Sequence, residues 1–246
     1  MKDISNKKFL EIAHGAKIKD RAEIVWGWAG IAGEKRAQRR ANYLFKLGEL
    51  VLSDVALELG CGTGEFTVRL QEKGIKKLVS MDISLDLIKQ AKSKLQNKNV
   101  YFVVADAEAM PFKDNSFNTI TGVSILHHLN IDTALKGIFM LLKQNGKLVF
   151  SEPNMLNPQI FLVKNIIFLK RICGDVDSES AFVRWHLNNK LKKSGFINIA
   201  VFPFDFLHPV TPQRLISFVC LIEKVIEKIP VLREIAGSLL IYAQKY

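Results

Sequence analysis

One run, Leu57-Glu58-Leu59-Gly60-Cys61-Gly62-Thr63-Gly64-Glu65-Phe66, limits what this chain can fold into. The apolar Val55-Ala56-Leu57 leads into alternating glycines, and Phe66, Val68 and Leu70 come next among charged neighbours. That order reads as a buried strand, a tight turn and a helix. Glycine tolerates positive φ and carries no Cβ. A ligand can therefore approach the backbone here, beneath the N–H groups of a helix N-terminus.

From residue 55 apolar strands alternate with amphipathic helices. Residues 77–82 read as a second strand. Ser84 caps a helix carrying Leu85, Ile88, Ala91 and Leu95 at helical spacing. A third strand over 100–104 runs on to Asp106, and a fourth covers 117–123. Residues 134–143 read as a helix stopped by Asn145-Gly146, and 147–150 as a fifth strand ending in Ser151-Glu152-Pro153. Strands alternating with helices imply an α/β, doubly wound parallel sheet. Beyond Pro153 the pattern loosens. Residues 159–173 are mostly apolar, with Lys164, Lys170 and Arg171 as their charges, and 175–180 read as a polar loop. The remainder reads as a short helix over 187–194, a strand over 196–202, a very apolar helix over 215–229 interrupted by Pro230, and a last strand over 238–243.

Charge sets the next bound. The formal net charge is +11. This suggests an anionic partner, namely nucleic acid, a lipid surface or a phosphorylated substrate, unless the surface is simply basic throughout. Much of the excess lies in residues 1–50, which read as helical. Lys35, Arg36, Arg39 and Arg40 form either a solvated helix face or part of a cover over the ligand, with Arg39 or Arg40 meeting a ligand carboxylate. The cysteines, Cys61, Cys173 and Cys220, are far apart and form no Cys-x-x-Cys pair, so neither a zinc site nor a disulfide framework is indicated. A reducing cytoplasm is expected. Residues 1–5 lack the apolar core of a signal peptide, and no run reaches the roughly 18 apolar residues that span a bilayer.

In an open α/β sheet, ligands bind at the carboxyl ends of the strands. Here those ends carry the glycine turn, Asp82, Asp106-Ala107, Ser124-Ile125-Leu126-His127-His128 and Glu152. A carboxylate at 82 can accept two hydrogen bonds from a ribose diol. One at 106 can accept from an exocyclic amine while the Ala107 N–H donates to a ring nitrogen. Each aspartate alone could be only a helix cap, so the ordered set carries the inference. A dinucleotide fingerprint would need Gly-x-Gly-x-x-Gly, but from Gly60 the third glycine falls one residue early, and from Gly62 the position holds Thr67. The turn also lacks the Gly-Lys-Ser/Thr of a P-loop.

With these residues the chain resembles the class I S-adenosylmethionine-dependent methyltransferases, in particular the group that includes ubiquinone- and menaquinone-biosynthesis enzymes. The likeness rests on residues 58–64, 81–84, 105–112, 124–129 and 145–148, within a span of about 50 to 153. It implies a seven-stranded, mostly parallel sheet closed by an antiparallel last strand, for which 238–243 is the candidate. It implies S-adenosyl-L-methionine as cofactor. Glu58, Gly60, Cys61 and Gly62 would surround the methionine part. Asp82 would hold the ribose with Ile83 against the adenine, Asp106 and Ala107 would read the adenine edge, and Ser124 would line the pocket near the sulfonium. Residues 1–50 then form a helical cap, 51–153 the cofactor-binding core, and 154–246 the substrate-side helices and closing strands of the same domain.

The reaction implied is an in-line displacement in which the protein positions the nucleophile and manages its proton. An oxygen or nitrogen nucleophile can require a general base. His127, His128 and Glu152 are the candidates, unless the histidines only shape the pocket and Glu152 only caps the next segment. Gly122-Val123-Ser124-Ile125 stands where nucleic-acid amino-methylating enzymes of this fold carry Asn/Asp-Pro-Pro-Tyr/Phe, which argues against that acceptor despite the charge. No acidic cluster suggests a metal. The apolar stretches 159–173 and 215–229, flanked by basic residues, either pack as ordinary helices or serve a small, lipophilic or lipid-linked acceptor and rest peripherally on an anionic membrane. A cofactor-binding scaffold without transferase activity, and a nucleic-acid methyltransferase, stay open as alternatives.

Overall fold

A computed structural model describes residues 2–50, 55–95, 98–166, 168 and 181–246. Lys170, Arg171, Cys173, the end of the apolar stretch 159–173 and the polar loop 175–180 lie outside the described residues. The order of elements opens with α1 (Lys2–Ile18), a short turn of helix, α2 (Ala22–Val25) and α3 (Gly30–Leu47). Next are β1 (Val55–Leu59), α4 (Glu65–Glu72), β2 (Lys77–Asp82), α5 (Leu85–Lys94), β3 (Val100–Val104) and β4 (Phe117–Val123). Then come α6 (Ile131–Leu141), β5 (Leu142–Pro153), α7 (Pro158–Asn165), α8 (Arg184–Lys193), β6 (Ile197–Phe204), α9 (Gln213–Ile226), α10 (Pro230–Arg233) and β7 (Ser238–Gln244).

The strands form one seven-stranded sheet in the order β3-β2-β1-β4-β5-β7-β6. Strands β1 to β5 pair in parallel, and β7 runs antiparallel to both β5 and β6. The expected doubly wound sheet with an antiparallel last strand is the sheet that forms. Strand order reverses between β1 and β4, where Leu59 lies beside Gly122. A crevice opens at such a switch point because the crossovers on its two sides leave in opposite directions.

Period-two alternation assigns side chains to the two faces of the sheet. Leu57, Leu59, Ile120, Phe150 and Ile241 pack with Leu135 and Ile138 of α6 and Leu187 and Leu191 of α8. Ala56, Leu78, Val149 and Leu240 pack with Leu44 of α3 and Leu70 of α4 on the opposite face. Ser84 caps α5 as expected, its Oγ accepting from Leu87 N.

Several boundaries differ from expectation, most of all at β5 and α9. Residues 142 and 143 belong to β5, not to the preceding helix: Leu142 is fully buried and pairs with Phe117, so strand pairing prevails over a periodicity that fits either state. Asn145 adopts φ 61° within that strand instead of ending a helix. The apolar helix expected over 215–229 spans Gln213–Ile226, and Pro230, which has no N–H to give to a helix interior, opens α10.

Three residues of the basic cluster on α3, Arg36, Arg39 and Arg40, are engaged by carboxylates within the protein. Arg40 is buried and donates to Asp205 Oδ2 at 2.6 Å and to Ser238 Oγ at 2.6 Å. Arg36 Nε reaches the same Asp205 oxygen at 3.1 Å. Arg39 pairs with Glu223 at 2.9 Å and Glu227 at 2.5 Å. The ligand carboxylate expected for Arg39 or Arg40 is thus replaced by carboxylates of the protein, supplied from about 165 to 190 residues away along the chain. These pairs bind the cap to α9 and to the chain after β6.

Candidate cofactor site

The glycine turn leaves β1 with Gly60 at φ 65° and Gly62 at φ 52°. A Cβ at Gly60 would stand 2.8 Å from the Ile125 side chain, and one at Gly62 would stand 3.0 Å from the Trp26 ring. Both positive φ and close approach require glycine here. The turn is pinned to the next strand. Cys61 N donates to Met81 O at 3.0 Å, and Gly62 N donates to Asp82 Oδ2 at 2.9 Å. The other Asp82 oxygen accepts from Ser84 N at 2.8 Å. Burial pushes the Asp82 carboxyl up, and these amides oppose the rise. A carboxylate has about four acceptor sites, so Asp82 can hold the turn and still accept from a diol.

Asp106 stands at the end of the neighbouring strand, β3. Its Oδ1 accepts from Glu108 N at 2.8 Å, and its Oδ2 is paired with Lys8 of α1. Lys8 also lies 3.3 Å from Glu108. Helix α1 therefore crosses over the site. A second stitch comes from Glu23 of α2, which accepts from Thr63 Oγ1 of the glycine turn at 2.8 Å and from Lys94 at 2.5 Å. Trp28 packs edge-on to Phe66 of α4.

Across the crevice, Ser124 takes up φ 54° directly after β4 and donates its N–H to Ser151 O. The chain then turns so that Ile125 N and Leu126 N donate to Glu152 Oε1 at 2.9 and 2.8 Å. His127 Nδ1 lies 2.7 Å from Glu152 Oε2. His128 Nδ1 lies 3.1 Å from Glu11 Oε1 of α1, and the two imidazoles are 4.1 Å apart. Burial pushes the Glu152 carboxyl up to about 7, against the pull of those amides. When Glu152 is ionised it can only accept, so Nδ1 of His127 carries the proton and Nε2 is its basic nitrogen.

These features enclose a cavity of about 670 Å³. Of the residues singled out from the sequence, Gly60, Cys61, Gly62, Asp82, Ile83, Asp106, Ala107, Ser124, His127 and His128 line it. Glu58 and Glu152 stand behind its wall. Glu58 accepts from Thr67 Oγ1 at 2.6 Å and Ser80 Oγ at 2.7 Å, and burial pushes its carboxyl up to about 7. The cap adds lining residues that sequence reasoning missed: Lys8, Glu11, His14, Gly15, Trp26 and Trp28. A signal for some of them existed. Positions 8, 11 and 15 share one helix face, and Trp26 and Trp28 flank a glycine.

The donor and acceptor set suits S-adenosylmethionine. A backbone turn that only glycine fits and carboxylate acceptors at the ends of two adjacent strands offer the close approach and the acceptors that a molecule with amino, diol and exocyclic-amine donors needs. The cavity lies within the ~300–1,000 Å³ of ligand sites.

Comparison with known proteins adds an independent line. A family model described as a methyltransferase domain matches residues 57–150. An uncharacterized protein of Methanocaldococcus jannaschii is 39% identical over 120 residues, 48% of this chain and 44% of its own. Demethylmenaquinone methyltransferase of Lactococcus lactis is 34% identical over 119 residues, covering 46% and 47%. The ubiquinone/menaquinone biosynthesis C-methyltransferase of Escherichia coli is 37% identical over 109 residues, covering 39% and 43%. The chain spans less than half the length of each of these relatives. Among solved structures, an S-adenosylmethionine-dependent methyltransferase of Mesorhizobium loti superposes with a TM-score of 0.65 at 21% identity, covering 88% of this chain and 99% of that one. A Haemonchus contortus phosphoethanolamine N-methyltransferase, solved with S-adenosylhomocysteine, gives 0.60 at 17%, covering 84% and 52%. At these identities the likeness speaks for the fold.

Proposed function

We propose that this chain, whose residues 57–150 match a methyltransferase-domain family model, is a class I S-adenosylmethionine-dependent methyltransferase that transfers a methyl group to a small lipophilic acceptor. The observation that carries the reading is the convergence of the glycine turn, Asp82, Asp106 and His127 on one cavity. When bound, the cofactor supplies a methyl group made electrophilic by its sulfonium. Gly60, Cys61 and Gly62 bind the methionine part, and Glu58 supports them from behind by fastening Thr67 and Ser80. Asp82 would accept from the ribose, Ile83 would lie against the adenine, and Asp106 with the Ala107 N–H would read its edge. Ser124 borders the reacting end. His127 takes a proton from the acceptor, held in the needed tautomer by Glu152, and His128 stands beside it, paired with Glu11.

A lipophilic acceptor is supported by the apolar wall of Trp26, Trp28, Phe66, Val123 and Ile125, and by relatives whose names specify menaquinone and ubiquinone methylation. Such an acceptor resides in a bilayer, so the reading places the protein at a membrane surface while it acts. The test is calorimetric titration with S-adenosylhomocysteine, then transfer of a labelled methyl group to quinol-type and other lipophilic acceptors. Binding with transfer supports the reading. Binding without transfer to any acceptor, extract included, leaves a cofactor-binding scaffold in its place.

A further inference from the structure

Helix α9 has two apolar faces and uses one to pack. Ile216 is buried against Ala32 and Leu207, and Glu223 is turned inward to Arg39. On the opposite side Phe218, Leu221 and Val225 are 61%, 63% and 59% exposed, flanked by Leu215 and Ile222. Spacings of three and four residues place them on one stripe. Val231 and Leu232 of α10 and Phe161, Leu162 and Ile166 of α7 and its end are also exposed. Scattered exposed leucines need no explanation, but a second apolar stripe on one helix does.

The charges are sorted as well. Both acids of α9 and its last turn, Glu223 and Glu227, are engaged by Arg39. The exposed charged residues of that segment, Arg214, Lys224 and Lys228, are all basic. The surface also adjoins the cavity. Pro153 and Lys164 line the cavity before and at the end of α7. Asn157 Nδ2 donates to Ile235 O at 2.8 Å, and Gln159 Nε2 lies 2.8 Å from His208 Nε2. These bonds join α7 to the chain after α10 and to the approach to α9.

We propose that this outer face of α9, extended by α10 and α7, docks on the surface of an anionic phospholipid bilayer. Apolar side chains enter the headgroup boundary while Arg214, Lys224 and Lys228 meet lipid phosphates, which is how an interfacial helix binds without crossing. No helix among the described residues is long and apolar enough to cross. The inference deepens the proposed function and rests on its lipophilic acceptor, for which the docked face would bring the cavity mouth to the source.

The test is co-sedimentation of the full chain with vesicles of phosphatidylcholine alone, or with about a third phosphatidylglycerol, at low salt. Binding to the anionic vesicles should exceed binding to neutral ones by about tenfold or more. The double variant Phe218→Asp/Val225→Asp should bind about tenfold more weakly. Lys224→Glu/Lys228→Glu should lose the anionic preference. Both should bind S-adenosylhomocysteine as the parent does, so failed docking is separable from a failed cofactor site. No vesicle binding, equal binding to both compositions, or binding unaffected by either variant would overturn the proposal. So would a dimer in ultracentrifugation that the aspartates convert to monomer without any vesicle binding, since a second copy would then cover the face.

Discussion

Two glutamates on either side of one strand show how the same buried charge can be put to different use. Glu58 on β1 and Glu152 on β5 flank β4, both are almost inaccessible, and burial pushes both carboxyls to about 7. Glu58 holds two hydroxyls, one from α4 and one from β2, and fastens the ground beneath the glycine turn. Glu152 holds two backbone amides and an imidazole that faces the cavity. The first is a fastener between elements. The second connects the sheet to the site through His127. What separates them is the partner each reaches, since burial and nominal acidity are alike.

The contrast between them breaks most readily on removal of each side chain. Glu152→Ala leaves three donors without an acceptor and should cost about 3–5 kcal/mol in denaturant unfolding. Glu58→Ala strands two hydroxyls, which can turn toward each other, and should cost about 2 kcal/mol. Equal losses would mean that the donors on Glu152 carry no special weight.

The pH response sharpens it further. A glutamate raised from 4.5 to about 7 binds a proton more tightly in the folded chain than in the unfolded one. Its stabilisation is therefore complete below pH 4.5 and is lost as pH rises through 7, by about 3 kcal/mol for each group. Thermal unfolding measured from pH 5 to 8 should show a falling stability whose slope Glu58→Gln reduces by about half, the Glu152 share remaining. If the variant and parent slopes match, Glu58 titrates normally.

At the level of chemistry, Glu152→Gln should lower methyl transfer about a hundredfold while affinity for S-adenosylhomocysteine stays within about twofold. Glu58→Gln, which keeps an amide oxygen to accept from Thr67 and Ser80, should lower transfer by less than about tenfold, acting through the glycine turn. Asp82→Asn should weaken that affinity about tenfold, the worth of one charge-assisted hydrogen bond. The smallest effect is expected at Glu11. Its pair with His128 is part-exposed, and Glu11→Gln should change stability by less than about 1 kcal/mol. A larger loss would make α1 a structural element and not a cover.

Much of the site was readable from local pattern. Gly60, Gly62, Asp82, Asp106 and Ser124 all stand at the ends of strands whose apolar runs are plain, and parallel strands bring their carboxyl ends to one edge. The cap was less readable. Arg39 and Arg40 look like ligand-side cations until Asp205, Glu223 and Glu227 are brought to them. Lys8 and Glu11 show no purpose until α1 crosses Asp106 and His128. Glu152 was found as a strand end, but which side of the wall it occupies depends on how the chain turns after Ser124.

The sequence by itself determined the doubly wound sheet and the polar residues at its strand ends, because periodicity and turn chemistry act over a few residues; where the strand order reverses came from the pairing of β1 with β4. Tertiary structure alone decided which charges neutralise one another, which glutamate reaches an imidazole, and which face of α9 stays uncovered. Those outcomes depend on contacts between residues far apart along the chain, and no local spacing encodes them. The glycine turn belongs to both: three alternating glycines announced it, and Trp26 and Ile125, packed against it from the cap and the far wall, explain why Gly60 and Gly62 have to be glycine.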